Sequence, residues 1–131
     1  LGMFRIITPY LNRIDNIHGV EEFLYSKEIS VAGQCDCIAE YKGKLSIIDF
    51  KSSSKQRDED YNYANFLQTS AYAKMYEEIF PKYKIEQTVV LTSCADGFVQ
   101  EWIHGKEKFS AHQELFYKHT KDFLDKMKIN S

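Results

Sequence analysis

No run in this sequence approaches the roughly 18 consecutive apolar residues that a membrane-spanning helix needs. The opening Leu1-Gly2-Met3-Phe4 lacks the basic-then-apolar layout of a signal peptide. The expectation is therefore a cytoplasmic chain with no membrane partner. Cysteine is scarce: Cys35, Cys37 and Cys94 make an odd number without a Cys-x-x-Cys pair. That excludes a disulfide framework and a four-thiolate metal or iron–sulfur centre, and it predicts buried thiols. There is no excess of positive charge either, since 17 basic and 19 acidic residues leave a net charge of −2. A broadly basic nucleic-acid surface is thereby excluded, and any such footprint must be local. His104, His112 and His119 are scattered and do not form the ligand pattern of a zinc protease. Internal repeats and low-complexity tracts are also missing.

What is present suits one small domain over residues 1–131. The 131 residues are 44% hydrophobic and 15% aromatic, enough to bury one core and too few for a second. The chain begins without an initiator Met, which leaves room for a segment upstream. Lys42, Lys44, Lys51, Lys55 and Arg57 fall within sixteen residues and are the best candidate for a local basic patch, although such clusters are commonly a solvated face.

Apolar spacing at Ile7, Tyr10, Leu11, Ile14 and Ile17 predicts a short helix that ends before Gly19, with Thr8-Pro9 in its first turn. Val20–Ile29 and Val31–Tyr41 read as β-strands, and Lys42-Gly43 is a tight-turn signal into a third over Lys44–Lys51. A polar stretch, Ser52–Asp60, precedes a helix over Tyr61–Phe80 that Pro81 stops. Residues 84–93 and Phe98–His104 read as a hairpin about Ala95-Asp96-Gly97, in which Trp102 packs. A last helix is expected from an N-cap at Ser110 to Met127, with Leu115, His119, Phe123 and Met127 as its apolar stripe and Phe109, Phe116 and Phe123 in the core. This order implies an α+β fold: a mixed central sheet of about five strands flanked by helices.

The first hairpin carries the chemistry. If Lys42-Gly43 is a two-residue turn, Tyr41 faces Lys44, and counting back puts Asp36 opposite Asp49. Opposed Cβ atoms lie about 4.5–5.5 Å apart, and like charges so placed are destabilising unless a cation compensates. Side-chain alternation sends Asp49 and Lys51 to one face and Phe50 to the other. Two carboxylates and an ammonium then converge on an otherwise apolar β-strand, where an unpaired Asp is costly. A lone D-x-K triplet would more often be a surface ion pair.

Gly33-Gln34-Cys35-Asp36, Ile47-Ile48-Asp49-Phe50-Lys51-Ser52 and Gln68-Thr69-Ser70-Ala71-Tyr72 together resemble the G-x-x-D, D-x-K and Q-x-x-x-Y series of RecB-like nucleases in the PD-(D/E)XK superfamily. Val20–Tyr76 is particularly similar to the mitochondrial genome maintenance exonucleases and their phage and bacterial relatives. The resemblance implies a restriction-endonuclease-like core in which Asp36, Asp49 and the carbonyl of Phe50 ligate Mg²⁺ or Mn²⁺ and Lys51 orients or deprotonates the attacking water. Gln68 and Tyr72 would position a DNA strand, with Ser52 and Lys55 beside them, and Glu21 would play a supporting part. Position 35 is Cys where the superfamily name has Pro. Relatives also carry an upstream helix with a His or Glu near the metal, whereas His18, beside a helix end, is expected to be exposed.

Three readings follow: an exonuclease acting on single-stranded DNA or free DNA ends, an endonuclease of the same fold, or a noncatalytic nucleic-acid-binding or assembly module. An α/β interaction domain with an accidental D-x-K is the unrelated alternative.

Overall fold

The computed structural model describes residues 2–130, and the side chains of residues 6–127. The chain runs α1 (Gly2–Leu11), β1 (Ile14–Ser26), β2 (Val31–Tyr41), β3 (Lys44–Ser53), α2 (Tyr63–Ile79), β4 (Gln87–Cys94), β5 (Val99–Gly105) and α3 (Lys106–Asn130). The five β-strands form one sheet in sequential order. Only β3 and β4 are parallel, because α2 carries the chain across the sheet between them, while the other pairs are antiparallel. The mixed sheet with flanking helices is the architecture expected.

The hairpin register is also as expected. Lys42 and Gly43 both adopt positive φ, 52° and 82°, the geometry of a two-residue turn that matches strand twist, and Tyr41 pairs with Lys44. The N-terminal expectation needs correction. The helix stops at Leu11, Pro9 lies near its end and not in its first turn, and Ile14 and Ile17 belong to β1. Pairing prevails there: Ile14 faces Tyr41, and Lys42 N–H donates to the Arg13 carbonyl at 3.0 Å. Between Asp15 and Gly19 the β1–β2 register shifts, and Asn16 takes φ 45°. Such a bulge spaces apolar residues by three as a helix does, which is why the pattern misled.

Two apolar layers enclose the sheet. Ile38, Ile47, Leu24, Ala71, Met75, Ile85 and Phe109 pack under α2 and α3. Ile7 of α1 packs with Cys37, Ala39, Tyr41, Ile48, Val89 and Leu91 on the opposite face. Helix α2 carries Thr69, Ser70, Ala71 and Ala73, all buried, and these small residues let it approach both the sheet and α3. Helix α3 begins directly after β5, so Ser110 lies inside it and is not its N-cap. Its buried residues are Phe109, His112 and Tyr117, whereas Phe123 and Met127 are 62% and 53% exposed and Leu115 and His119 are exposed too. The stripe expected to be core therefore faces out. The helix has 25 residues against 17 in α2, an excess of about 12 Å at 1.5 Å per residue. Among the described residues no helix is long and apolar enough to cross a membrane.

Candidate active site

Strand β3 lies at the centre of the sheet and delivers Asp49 and Lys51. Asp49 is 7% exposed, although it sits among Ile47, Ile48 and Phe50, where burial of a charge is expensive. Its Oδ2 is buried and receives no hydrogen bond of good geometry, and the Lys51 ammonium stands 3.3 Å away as an ion pair. Burial, and then the neighbouring Asp36 carboxyl, push the Asp49 carboxyl up to about 7, while Lys51 acts in the opposite sense. Burial thus opposes the charged form of this carboxylate, and the Lys51 ammonium is what favours it.

Asp36 reaches the same place by an irregularity in β2. Cys35 and Ile38 both pack under α2, while Cys37 packs on the other face, so strict alternation fails between 35 and 38. The β2–β3 ladder is regular as far as Cys37 and Ile48. One rung further, Phe50 N–H donates to the Asp36 carboxylate at 2.8 Å. The expected neighbours are thus neighbours, but one of the two carboxylates is anchored to the β3 backbone, which fixes it without a second cation. Cys35 is no rival: burial above all holds its thiol up at about 12, so it stays protonated.

Helix α2 closes one side. Gln68 Nε2 donates to Tyr72 Oη at 3.1 Å, as the four-residue spacing implies. Tyr72 is 6% exposed, and burial above all raises its phenol, with lesser contributions from Cys35, Asp49 and Asp36. Gly33 explains its position. A Cβ there would lie 2.7 Å from Tyr72 Oη, so the glycine of the first motif makes room for the tyrosine of the third.

The remaining candidates scatter. Ser52 and Lys55 are exposed, the Lys55 carbonyl accepting from Ser53 Oγ at 2.6 Å. Glu21 is exposed at φ 51° and takes the Gln34 amide on its carbonyl. It does not complete a cluster, since among the described residues no group of three His, Cys, Asp or Glu side chains could hold a metal. The basic patch divides. Lys42 pairs with Glu101 at the turn end of the hairpin, and Arg57 stacks on Tyr61 at the other end. His18 lies in a strand and not at a helix end; it is exposed, but its Nδ1 is 3.1 Å from Tyr76 Oη. The three cysteines are free and buried, as expected.

Sequence reasoning passed over Thr92, and it read Trp102 as β-strand packing, which its ring does 5.5 Å from Phe66. In the β3–β4–β5 ladder Asp49 aligns with Val90 and Trp102, and Lys51 with Thr92 and Gln100. Thr92 Oγ1 and Trp102 Nε1 are buried without a hydrogen-bond partner, like Asp49 Oδ2. Three buried polar atoms without a hydrogen bond, on two adjoining rungs, suit a place where a ligand or water belongs. No spacing rule could have found them, because β4 is uniformly buried and its motif is only the register.

Comparison with known proteins agrees with this geometry. The sequence pattern of the PD-(D/E)XK nuclease superfamily matches residues 4–126. Mitochondrial genome maintenance exonuclease 1 of Mus musculus is 29% identical over 98 residues, 73% of this chain and 29% of that protein. The Homo sapiens protein of the same name is 26% identical over 98 residues, 73% of this chain and 28% of its own length. The chain therefore spans less than a third of those relatives. A crystal structure of a protein from Eubacterium rectale, provisionally described as an exonuclease, superposes with a TM-score of 0.63 over 93% of this chain and 50% of that one, at 10% identity, a likeness of fold alone.

Proposed function

Given that the chain belongs to the PD-(D/E)XK nuclease superfamily, we propose that it is the core of a metal-dependent deoxyribonuclease, an exonuclease that hydrolyses phosphodiester bonds in single-stranded DNA or at free DNA ends. The observation that carries this reading is Asp49 Oδ2, buried, without a hydrogen bond, and flanked by Asp36 and Lys51. An all-oxygen set of Asp36, Asp49 and the Phe50 carbonyl fits Mg²⁺ or Mn²⁺, hard cations that keep several waters, so a third carboxylate is not required. When bound, the ion supplies Lewis acidity and neutralises charge on the phosphate.

The chain's own residues do the rest. Asp49 would hold the ion as a carboxylate, so its raised proton affinity would oppose binding as pH falls. Lys51, held 3.3 Å from Asp49, donates hydrogen bonds to the attacking water and to a phosphoryl oxygen. The water oxygen bonds to phosphorus, the bond from phosphorus to the leaving oxygen breaks, and the water's proton ends on that oxygen. Gln68 and Tyr72 line the approach from α2 and fix the DNA backbone against rotation. The exonuclease assignment also draws on the relatives' names.

The test is incubation with end-labelled linear and circular DNA, single- and double-stranded, in Mg²⁺, Mn²⁺, Ca²⁺ or EDTA. Degradation of linear DNA alone, in Mg²⁺ or Mn²⁺, is expected. Nicking of circles would make the protein an endonuclease, and binding without cleavage in any metal would leave a noncatalytic module.

A further inference from the structure

A second concavity opens beside the candidate site. Helix α2 turns a continuous face to it: Gln68 and Tyr72 at the site, then Tyr76 and Phe80 one and two turns on. On the sheet side, Leu24 pairs with Gly33, the residue on which Tyr72 packs, and Leu24 also lines the new cavity. The cavity wall thus adjoins the residues that pack on Tyr72. The cavity measures about 480 Å³, within the roughly 300–1,000 Å³ of ordinary ligand pockets.

Its lining is aromatic with a few polar groups. His18, Tyr76, Tyr83 and Phe80 form one connected set, with ring centroids of 4.7 Å for His18–Tyr83 and 5.1 Å for Tyr76–Phe80. Phe23, Tyr25 and Phe80 expose 75%, 49% and 46% of their surfaces at its mouth, a high cost for rings with no occupant. The backbone departs from regular geometry to build this wall. The register shift before Gly19 carries His18 to the Tyr76 hydroxyl, and Glu21 is left-handed at φ 51°. Strained backbone held in place by its surroundings clusters at functional surfaces.

The charge of the groove selects among occupants. Glu22 lines it and no Lys or Arg does, so it is unsuited to phosphates. Rings, an imidazole and a carboxylate are instead what an unpaired nucleobase needs: faces to stack on, and an acceptor for the exocyclic amino group of cytosine or adenine. We propose that this groove binds the bases of a single-stranded nucleic acid whose backbone passes the Asp36–Asp49–Lys51 site, stacking them on Phe23, Phe80 and Tyr83. The inference rests on the nuclease reading and adds to it a separate subsite for the unstacked bases of the strand. Duplex DNA, whose bases are paired and stacked, does not fit.

Binding can be measured without cleavage, by fluorescence anisotropy in EDTA. The 131-residue chain is titrated with a labelled oligodeoxycytidylate and with an abasic strand of the same length. The wild type should prefer the base-bearing strand by at least about 10-fold, since stacking on an aromatic side chain contributes about 1–3 kcal/mol per base. Phe23→Ala/Phe80→Ala, at two exposed positions that leave the core untouched, should remove that preference and leave affinity for the abasic strand unchanged. Glu22→Gln should lower the preference for oligodeoxycytidylate over oligothymidylate. Equal binding of the two strands by the wild type, or a double variant that keeps the preference, overturns the proposal and leaves the groove to a polypeptide. Cleavage in Mn²⁺ is scored separately. Base preference without cleavage would sink the nuclease reading alone, and cleavage without base preference would sink this one alone.

Discussion

Two regions of the α2 face bury titratable side chains, and they do so in opposite ways. At the middle of the sheet Asp49 is buried with an oxygen that receives no hydrogen bond and its carboxyl raised to about 7. At the far edge His104 and His112 are 6% and 7% exposed, with ring centroids 5.4 Å apart. Phe66 packs edge-on to His104 at 4.5 Å and stacks on His112 at 6.1 Å. Burial above all lowers both imidazoles, His104 to about 4, so they are neutral aromatic packing. Under the proposed function the first is a ligand-binding group, while the second fills a core. The difference lies in what surrounds them: Asp36, Lys51 and the unbonded Thr92 hydroxyl in the first case, and in the second ring faces, although His112 Nδ1 also lacks a hydrogen bond there.

Lys51→Ala should break the comparison most sharply. Turnover should fall by about 10²–10⁴-fold, the usual weight of a group that handles the reacting proton, with Mn²⁺ still raising the melting temperature. His112→Phe should leave turnover within a few-fold. A nuclease assay beside thermal melting checks both, and equal losses in the two variants would erase the functional distinction.

Gly33→Ala comes next. The added methyl must displace Tyr72 from 2.7 Å, an overpacking worth about 1–3 kcal/mol. KM for DNA should rise more than kcat falls, and chemical denaturation should report the lost stability. Unchanged stability and kinetics would mean that the glycine and the tyrosine do not depend on each other.

The pH dependence of stability in EDTA separates the regions by sign. His104 has its folded value depressed below the ordinary 6.5, under burial, Lys108 and His112 and against Glu59. Its contribution is therefore complete above about 6.5 and is lost as pH falls through about 4. Asp49, raised from 3.8 to about 7 beside Asp36 and Lys51, contributes most below 3.8, and that contribution is lost as pH rises through 7. The slopes oppose each other between pH 4 and 6.5. Asp49→Asn should give stability that climbs with pH across that window, and a His104→Phe/His112→Phe protein stability that declines. Parallel profiles for the two variants would contradict the assignment.

The smallest effect belongs to Thr92→Val. Removing an unpaired buried hydroxyl while keeping its volume should raise apo-protein stability by about 1 kcal/mol. Markedly lower stability in urea melts would show that the hydroxyl has a structural partner.

Much of this was legible in the chain. Lys42-Gly43 sets a hairpin register, and that register brings Asp36 to Asp49; Gln68 and Tyr72 meet because four residues make about one helical turn. Other features depend on neighbours that a local pattern does not contain. Ile14 and Ile17 obey helical spacing yet lie in a bulged strand, since pairing with β2 outweighs local preference. Leu115, Phe123 and Met127 look like a core stripe, but most of that stripe lies beyond the residues of α3 that pack. His104 and His112, distant from Phe66 in sequence, converge only when β5 and α3 fold onto α2. The anchoring of Asp36 to Phe50 N–H also escapes alternation, because it occurs where alternation fails.

Strand β3 is paired antiparallel with β2 on one side and parallel with β4 on the other. One side is closed by a two-residue turn, the other by a crossover through the whole of α2. The hairpin half can form early and locally, while the β3–β4 half must wait for a long loop to close. Backbone amides of β3 should then exchange with deuterium only through global unfolding, whereas the edge strand β1 opens at lower free energy. Asp49 and Lys51 are consequently as persistent as the fold itself, and whatever must move to admit and release the proposed substrate is left to the edge.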